Sequence, residues 1–169
     1  MPLLLDAYYV DRLALDVVED YDDDAAEQHW EIDVRPQHLT NTEDPLAQQV
    51  VLSVRFEPAE GSSAPYRGEI AGRAFFRVCD EEPDKASSLV RFNGSSILFG
   101  LLRGQVAQLT AFARWSTFLM PPVNLVEAFE RADEAEVEEA TSPPEPAKKK
   151  TGAKGPAGRK KPRKAGGES

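Results

Sequence analysis

Four runs of alternating apolar and polar residues, joined by short connections, restrict this chain more than any other feature. Successive side chains of a strand point to opposite faces. Extended, residues 8–18 (YYVDRLALDVV) therefore place Tyr9, Asp11, Leu13, Leu15 and Val17 on one side and Tyr8, Val10, Arg12, Ala14, Asp16 and Val18 on the other. In the second run Trp30, Ile32 and Val34 alternate with Glu31, Asp33 and Arg35, and Leu39 extends it past an irregularity at Pro36. Val50, Leu52, Val54 and Phe56 define a third, ended by Pro58 and the turn-rich AEGSSAP. The fourth, residues 66–78, sets Ile70, Ala74, Phe76 and Val78 against Arg67, Glu69, Arg73, Phe75 and Arg77. Gly68 and Gly72 inside it mark a bend or a bulge. Parallel neighbours need a crossover of about a dozen residues or more. Only residues 80–92 are long enough, so the four strands are expected to form an antiparallel sheet.

The crossover leads into a helix. Asn93 and Ser95 are candidate N-caps, and Leu98, Leu101/Leu102, Gln105/Val106, Leu109 and Phe112/Ala113 recur at helical spacing. A second stripe on that helix, Gly100, Gly104, Ala107 and Ala111, has almost no side chain. Each interior glycine costs about 1 kcal/mol relative to alanine, so two of them need a reason. Close approach of another helix supplies one, and a loose first turn is the alternative. Arg103, Gln105, Gln108 and Arg114 exclude a membrane span. Pro121 and Pro122 end the helical region, and residues 123–135 resume as a short helix with Leu125, Val126 and Phe129 apolar. The expected fold is α+β: a four-stranded antiparallel sheet, then a long helix and a short helix.

A chain of 169 residues, 41 % of them hydrophobic, has room for one domain, here residues 1–135. The rest, 136–169, has the Pro, Gly, Ala, Glu and Lys composition of a disordered acidic-to-basic tail. Nine of the 20 Lys/Arg and one of the 29 acids lie in residues 148–169. That leaves 11 basic and 28 acidic residues, a net charge of −17, in residues 1–147. The basic tail is expected to fold back on this acidic body, with contact to nucleic acid or another anionic surface as the alternative. One cysteine, Cys79, excludes an internal disulfide framework and reads as an inert thiol in a reducing compartment. Asp6 interrupts the opening apolar run after three leucines, which argues against a signal peptide and for a cytoplasmic protein.

Chemistry-bearing patterns are sparse. The acidic run EDYDDD, residues 19–24, lacks the glycine and terminal glutamate of a calcium loop and reads as a solvated turn. His29 and His38 have no cysteine or zinc-binding spacing near them, and no phosphate-binding loop or nucleophile elbow occurs. The chain is therefore read as a non-enzyme with no metal and no cofactor. Phe118, Leu119, Met120, Leu125, Val126 and Phe129 exceed what one sheet and two helices can cover in a monomer, which points to oligomerisation or to binding of other chains.

The segment ILFGLLRGQVAQLTAFARWSTFLMPPVNLVEAF, residues 97–129, resembles the SecB family of protein-export chaperones. Ile97, Leu98, Phe99, Arg103, Pro122, Val123, Asn124, Ala128 and Phe129 fit that family's helix start and its PVN-containing second helix, and Trp30 and the strand order are similar. The resemblance implies an ATP-independent holdase for unfolded polypeptide clients, assembled as a homo-oligomeric dimer of dimers. Its long helix would form the interface, giving Gly100, Gly104, Ala107 and Ala111 their partner. It implies a client groove at Val34, Leu39, Phe76, Leu125, Val126 and Phe129, and docking of a translocase motor at Asp16 and Glu69. Gly100 and Gly104 depart from the Pro and acidic residue usual in the family's first helix. The connector 115–120 lacks its Gly-Phe-Pro character, and Arg12 and Arg67 stand where an acid and an apolar residue are expected. Those departures leave two alternatives: a SecB-like chaperone serving a toxin–antitoxin system, and a non-chaperone interaction module whose basic tail contacts nucleic acid.

Overall fold

The computed structural model describes residues 3–22, 24, 28–79 and 82–141, with side chains described as far as residue 135. The part of the tail from residue 142 onward lies outside the described residues, as do Asp23 in the acidic run and Asp80 and Glu81 in the crossover. Four strands, β1 (Leu3–Val17), β2 (Trp30–Thr40), β3 (Ala47–Pro58) and β4 (Tyr66–Val78), form one antiparallel sheet in the order β1-β4-β3-β2. Helix α1 (Pro83–Leu89) runs through a π-helical turn (Val90–Gly94) into α2 (Ser95–Thr110), and α3 (Leu125–Thr141) follows an irregular connector. The sheet, the long helical stretch and the second helix are those expected, although α3 runs six residues beyond the expected end at 135.

Strand β1 departs from simple alternation. Its register against β4 shifts between Leu5 and Ala7 and again between Val10 and Arg12, so Asp6 and Asp11 are extra residues opposite no single partner. A bulge rephases everything beyond it by one residue. Tyr8 and Val10, paired with Ala74 and Gly72, therefore share a face with Leu13, Leu15 and Val17, paired with Ile70, Gly68 and Tyr66. Simple alternation puts these two groups on opposite sides. The bulged carboxylates turn outward and pair with Arg77 and Arg73 of β4. Pro36 does not interrupt β2, because β2 is an edge strand and a missing donor is tolerated there.

The core lies between one sheet face and the helices. Val50, Leu52, Val54 and Phe56 of β3 and Ile70, Ala74 and Phe76 of β4 are buried there with Leu98, Leu102 and Val106 of α2. Full burial of such side chains contributes about 1.5–3 kcal/mol each. Gly68 permits the closest strand approach, since a Cβ there would collide with the Ala14 carbonyl oxygen and stand 2.9 Å from Phe56 Cζ. Helix α2 packs on β3 and β4, and α3 packs on β2. The same face of β1 is left open: Leu5, Tyr8, Val10, Leu13 and Val17 are 36–44 % exposed.

Candidate functional site

The six expected groove residues do not form one surface. Val34, Phe76, Leu125 and Phe129 are buried, and only Leu39 and Val126 are about half exposed. Leu39 is five residues from Val34 on an unbulged strand and pairs with Gln49, so it faces the other side of the sheet. An odd separation within β2 already carried that information. Leu125 and Val126 stand in the first turn of α3, where Asn124 acts as the cap. Its Oδ1 accepts from the backbone N–H of Val126 (3.1 Å) and Glu127 (3.4 Å), and its Nδ2 donates to Glu127 Oε1 at 2.7 Å. That exchange gives the PPVN block a structural meaning: two prolines stop the connector and the asparagine starts the helix.

The expected interface stripe faces away from the sheet. Gly100 and Ala111 are exposed, Gly104 and Ala107 half-buried, and a Cβ on either glycine would meet nothing within 4 Å. Ile97, Leu109 and Phe112 beside them are 41, 42 and 92 % exposed. Helix α2 is therefore apolar on nearly its whole circumference, a pattern that suits a helix covered on both sides. The two acidic positions, Asp16 and Glu69, lie on the outer face of the sheet. Glu69 is ion-paired with Arg12 at 3.4 Å, and Asp16 stands opposite Arg67 in the β1–β4 register.

An open pocket of about 400 Å³ lies at the Trp30 end of β2. Its floor is aromatic. Trp30 stacks on Phe118 with ring centroids 4.5 Å apart and planes at 28°, and Phe118 leans on Phe56 at 5.2 Å. Hydrogen bonds fix the Trp30 ring and the Phe118 backbone. Trp30 Nε1 donates to the Tyr66 carbonyl at 3.1 Å, and the Phe118 backbone N–H donates to Thr110 Oγ1 at 2.9 Å, tying the connector to the end of α2. Gln28, His29, Ser116 and Thr117 form a polar rim, and Leu119, 60 % exposed, stands at its edge. The connector alternates, with Phe118 and Met120 in the core and Leu119 outside. Trp30 and Phe118 lie far apart in the chain, so no local pattern announced this pocket.

Behind the floor, Tyr21 packs edge-on against Trp115 at 4.8 Å, and the Arg114 guanidinium lies 4.7 Å from the Trp115 ring centre. Burial pushes the Tyr66 hydroxyl above the ordinary tyrosine value. An approach to the Trp115 backbone pulls the other way, but its geometry is too poor to count as a hydrogen bond. Among the described residues, no three His, Cys, Asp or Glu side chains converge as metal ligands, and no helix is long and apolar enough to cross a membrane. The arrangement offers stacking, apolar contact and rim hydrogen bonds to an extended chain.

No family model and no curated protein sequence matches the chain. Among solved structures it is similar to a SecB-like chaperone of Mycobacterium tuberculosis, solved in complex with a peptide of the HigA1 antitoxin. The TM-score is 0.58 and the identity 12 %, over 72 % of this chain and 91 % of that one. A Streptococcus agalactiae protein of unknown function aligns with a TM-score of 0.38 and 13 % identity over 72 % of this chain and 98 % of that one, too weak a match to bear on the fold. The sheet followed by a long helix and a second helix is thus the SecB-like fold.

Proposed function

We propose that this protein is a SecB-like, ATP-independent holdase that binds unfolded segments of other polypeptides and acts in the cytoplasm without catalysis or a cofactor. The observation that carries this reading is the aromatic-floored pocket at Trp30 and Phe118, edged by exposed Leu119 and set in a SecB-like fold. Apolar anchors with a polar rim suit extended chains of varied sequence. The open apolar row of β1 and the apolar outer face of α2 support assembly as a homo-oligomer, by the family's layout a dimer of dimers.

Two finer readings rank unequally. Service to an antitoxin is favoured by the Mycobacterium neighbour, whose bound peptide comes from an antitoxin. Export with motor docking is less favoured, because Glu69 is already ion-paired and Asp16 stands opposite a cation. The reading is tested by mixing the protein with a chemically unfolded client and following aggregation by light scattering. Suppression is expected at stoichiometric amounts, with Leu119→Glu several-fold less effective. Absence of suppression by the wild-type protein would sink the proposal.

A further inference from the structure

Helix α3 packs on β2, burying Leu125, Ala128 and Phe129, and it meets the π-helical turn through Arg91 and Phe92. The Arg91 guanidinium lies 4.5 Å from the Phe129 ring centre and 5.9 Å from that of Phe92, while the two rings meet edge to face at 6.1 Å. One helical turn beyond Phe129, Asp133 forms an ion pair with the same guanidinium. Arg91 thus grips α3 by a ring and by a carboxylate, four residues apart on one helix face.

The π-helical turn presents these residues. A π turn takes in one residue more than an α turn, so the helix on one side of it is rotated relative to the other. Gly94 seats the turn on the sheet, since a Cβ there would come within 3.0 and 3.2 Å of the Phe76 ring. With Val90 and Gly94 buried inward, Arg91 and Phe92 project toward α3. Arg91 Nε is buried without a hydrogen-bond partner, while Nη2 of the same guanidinium donates to Asp133 Oδ2.

We infer that Arg91 is a positioning residue that latches α3 onto β2 and so sets how the Leu125 and Val126 end of α3 stands beside the connector that carries Leu119. The inference rests on the holdase reading, because only client binding gives the placement of α3 a functional consequence. The grip is graded. The ion pair is exposed on its Asp133 side, 58 %, and weakens with salt, whereas the ring contact does not depend on salt in the same way.

The test combines amide hydrogen exchange with client affinity, on the full chain. Arg91→Met keeps an unbranched stem and removes the guanidinium with its charge. Exchange of the α3 amides should rise about tenfold, with β3 and β4 amides unchanged, and affinity for an unfolded client should fall by a similar factor. Arg91→Lys keeps the charge without the planar stacking and should fall between. If Arg91→Met loosens β3 and β4 as well, the milder Asp133→Asn carries the comparison: it should speed α3 exchange at low salt and match the wild type at high salt. Unchanged α3 exchange in both variants overturns the latch. Faster α3 exchange with unaltered client affinity overturns the positioning role. A wild-type protein that binds no client removes the holdase reading, and the exchange result still decides the latch.

Discussion

The two halves of one sheet face are built from the same kind of residue and end up differently. On β3 and β4, Leu52, Val54, Ile70 and Phe76 are buried beneath α2 and the π-helical turn. On β1, Leu5, Tyr8, Val10, Leu13 and Val17 point the same way and stay more than a third exposed. Both halves carry an apolar row, and among the described residues only one is covered by helices. The two bulges bring all five β1 residues onto that face, which would be wasteful for a strand meant to meet water. The difference teaches that the protomer is finished over β2, β3 and β4 and unfinished over β1.

The largest effect should come from breaking the two uncovered surfaces, the β1 row and the outer face of α2. Gly104→Leu fills the bare stripe of α2 and Leu13→Asp puts a charge in the β1 row. Each should split the oligomer, at least halving the mass seen by sedimentation, without unfolding the protomer. An unchanged mass in both would mean that neither surface is an interface. A smaller effect should distinguish glycines that need their bareness for folding from those that do not. Gly68→Ala should destabilise by about 1–3 kcal/mol in urea unfolding, because the added Cβ meets the Ala14 backbone and the Phe56 ring. Gly100→Ala meets nothing and should stabilise an isolated protomer by up to about 1 kcal/mol, a gain that an opposing helix in the assembly would cancel.

The smallest effect concerns the covered half. The Tyr66 hydroxyl has its pKa raised by burial, so the folded state holds its proton where the unfolded chain has released it. This contribution is fully present below the ordinary tyrosine value of about 10 and is lost as pH rises through the raised one. Tyr66→Phe should flatten the alkaline fall in stability, and an unchanged fall would assign it to other groups.

Much of the architecture was readable from the chain. The alternation in 30–34, 50–56 and 70–78 named the buried and exposed faces of β2, β3 and β4, and the helical spacing of Leu98, Leu102 and Val106 named the buried face of α2, although Leu109 and Phe112 of the same stripe are exposed. The phase of β1 was not readable, because simple alternation puts Asp11 in line with Leu13, Leu15 and Val17, and Asp6 and Asp11 become bulges only against a particular register with β4. The candidate site was less visible still. Of the expected groove residues, Leu39 lies on the wrong face and four are interior. The pocket that did form joins Trp30 to Phe118, each noticed alone and neither marked as the other's neighbour.

What the sequence determined by itself is therefore local: which segments are strands and helices, which face of most of them is apolar, that Pro121 and Pro122 separate the two helices, and that the long helix carries a bare stripe. These follow from side-chain period and from hydrogen bonds between near neighbours, which any short segment encodes. Only the tertiary structure decided that two acidic bulges bring Leu5, Tyr8, Val10, Leu13 and Val17 of β1 onto one face, that a π-helical turn aims Arg91 at Phe129, and that the connector brings Phe118 onto Trp30. Each of these depends on contacts between residues far apart in the chain, and no local pattern specifies a contact whose other half is a distant strand.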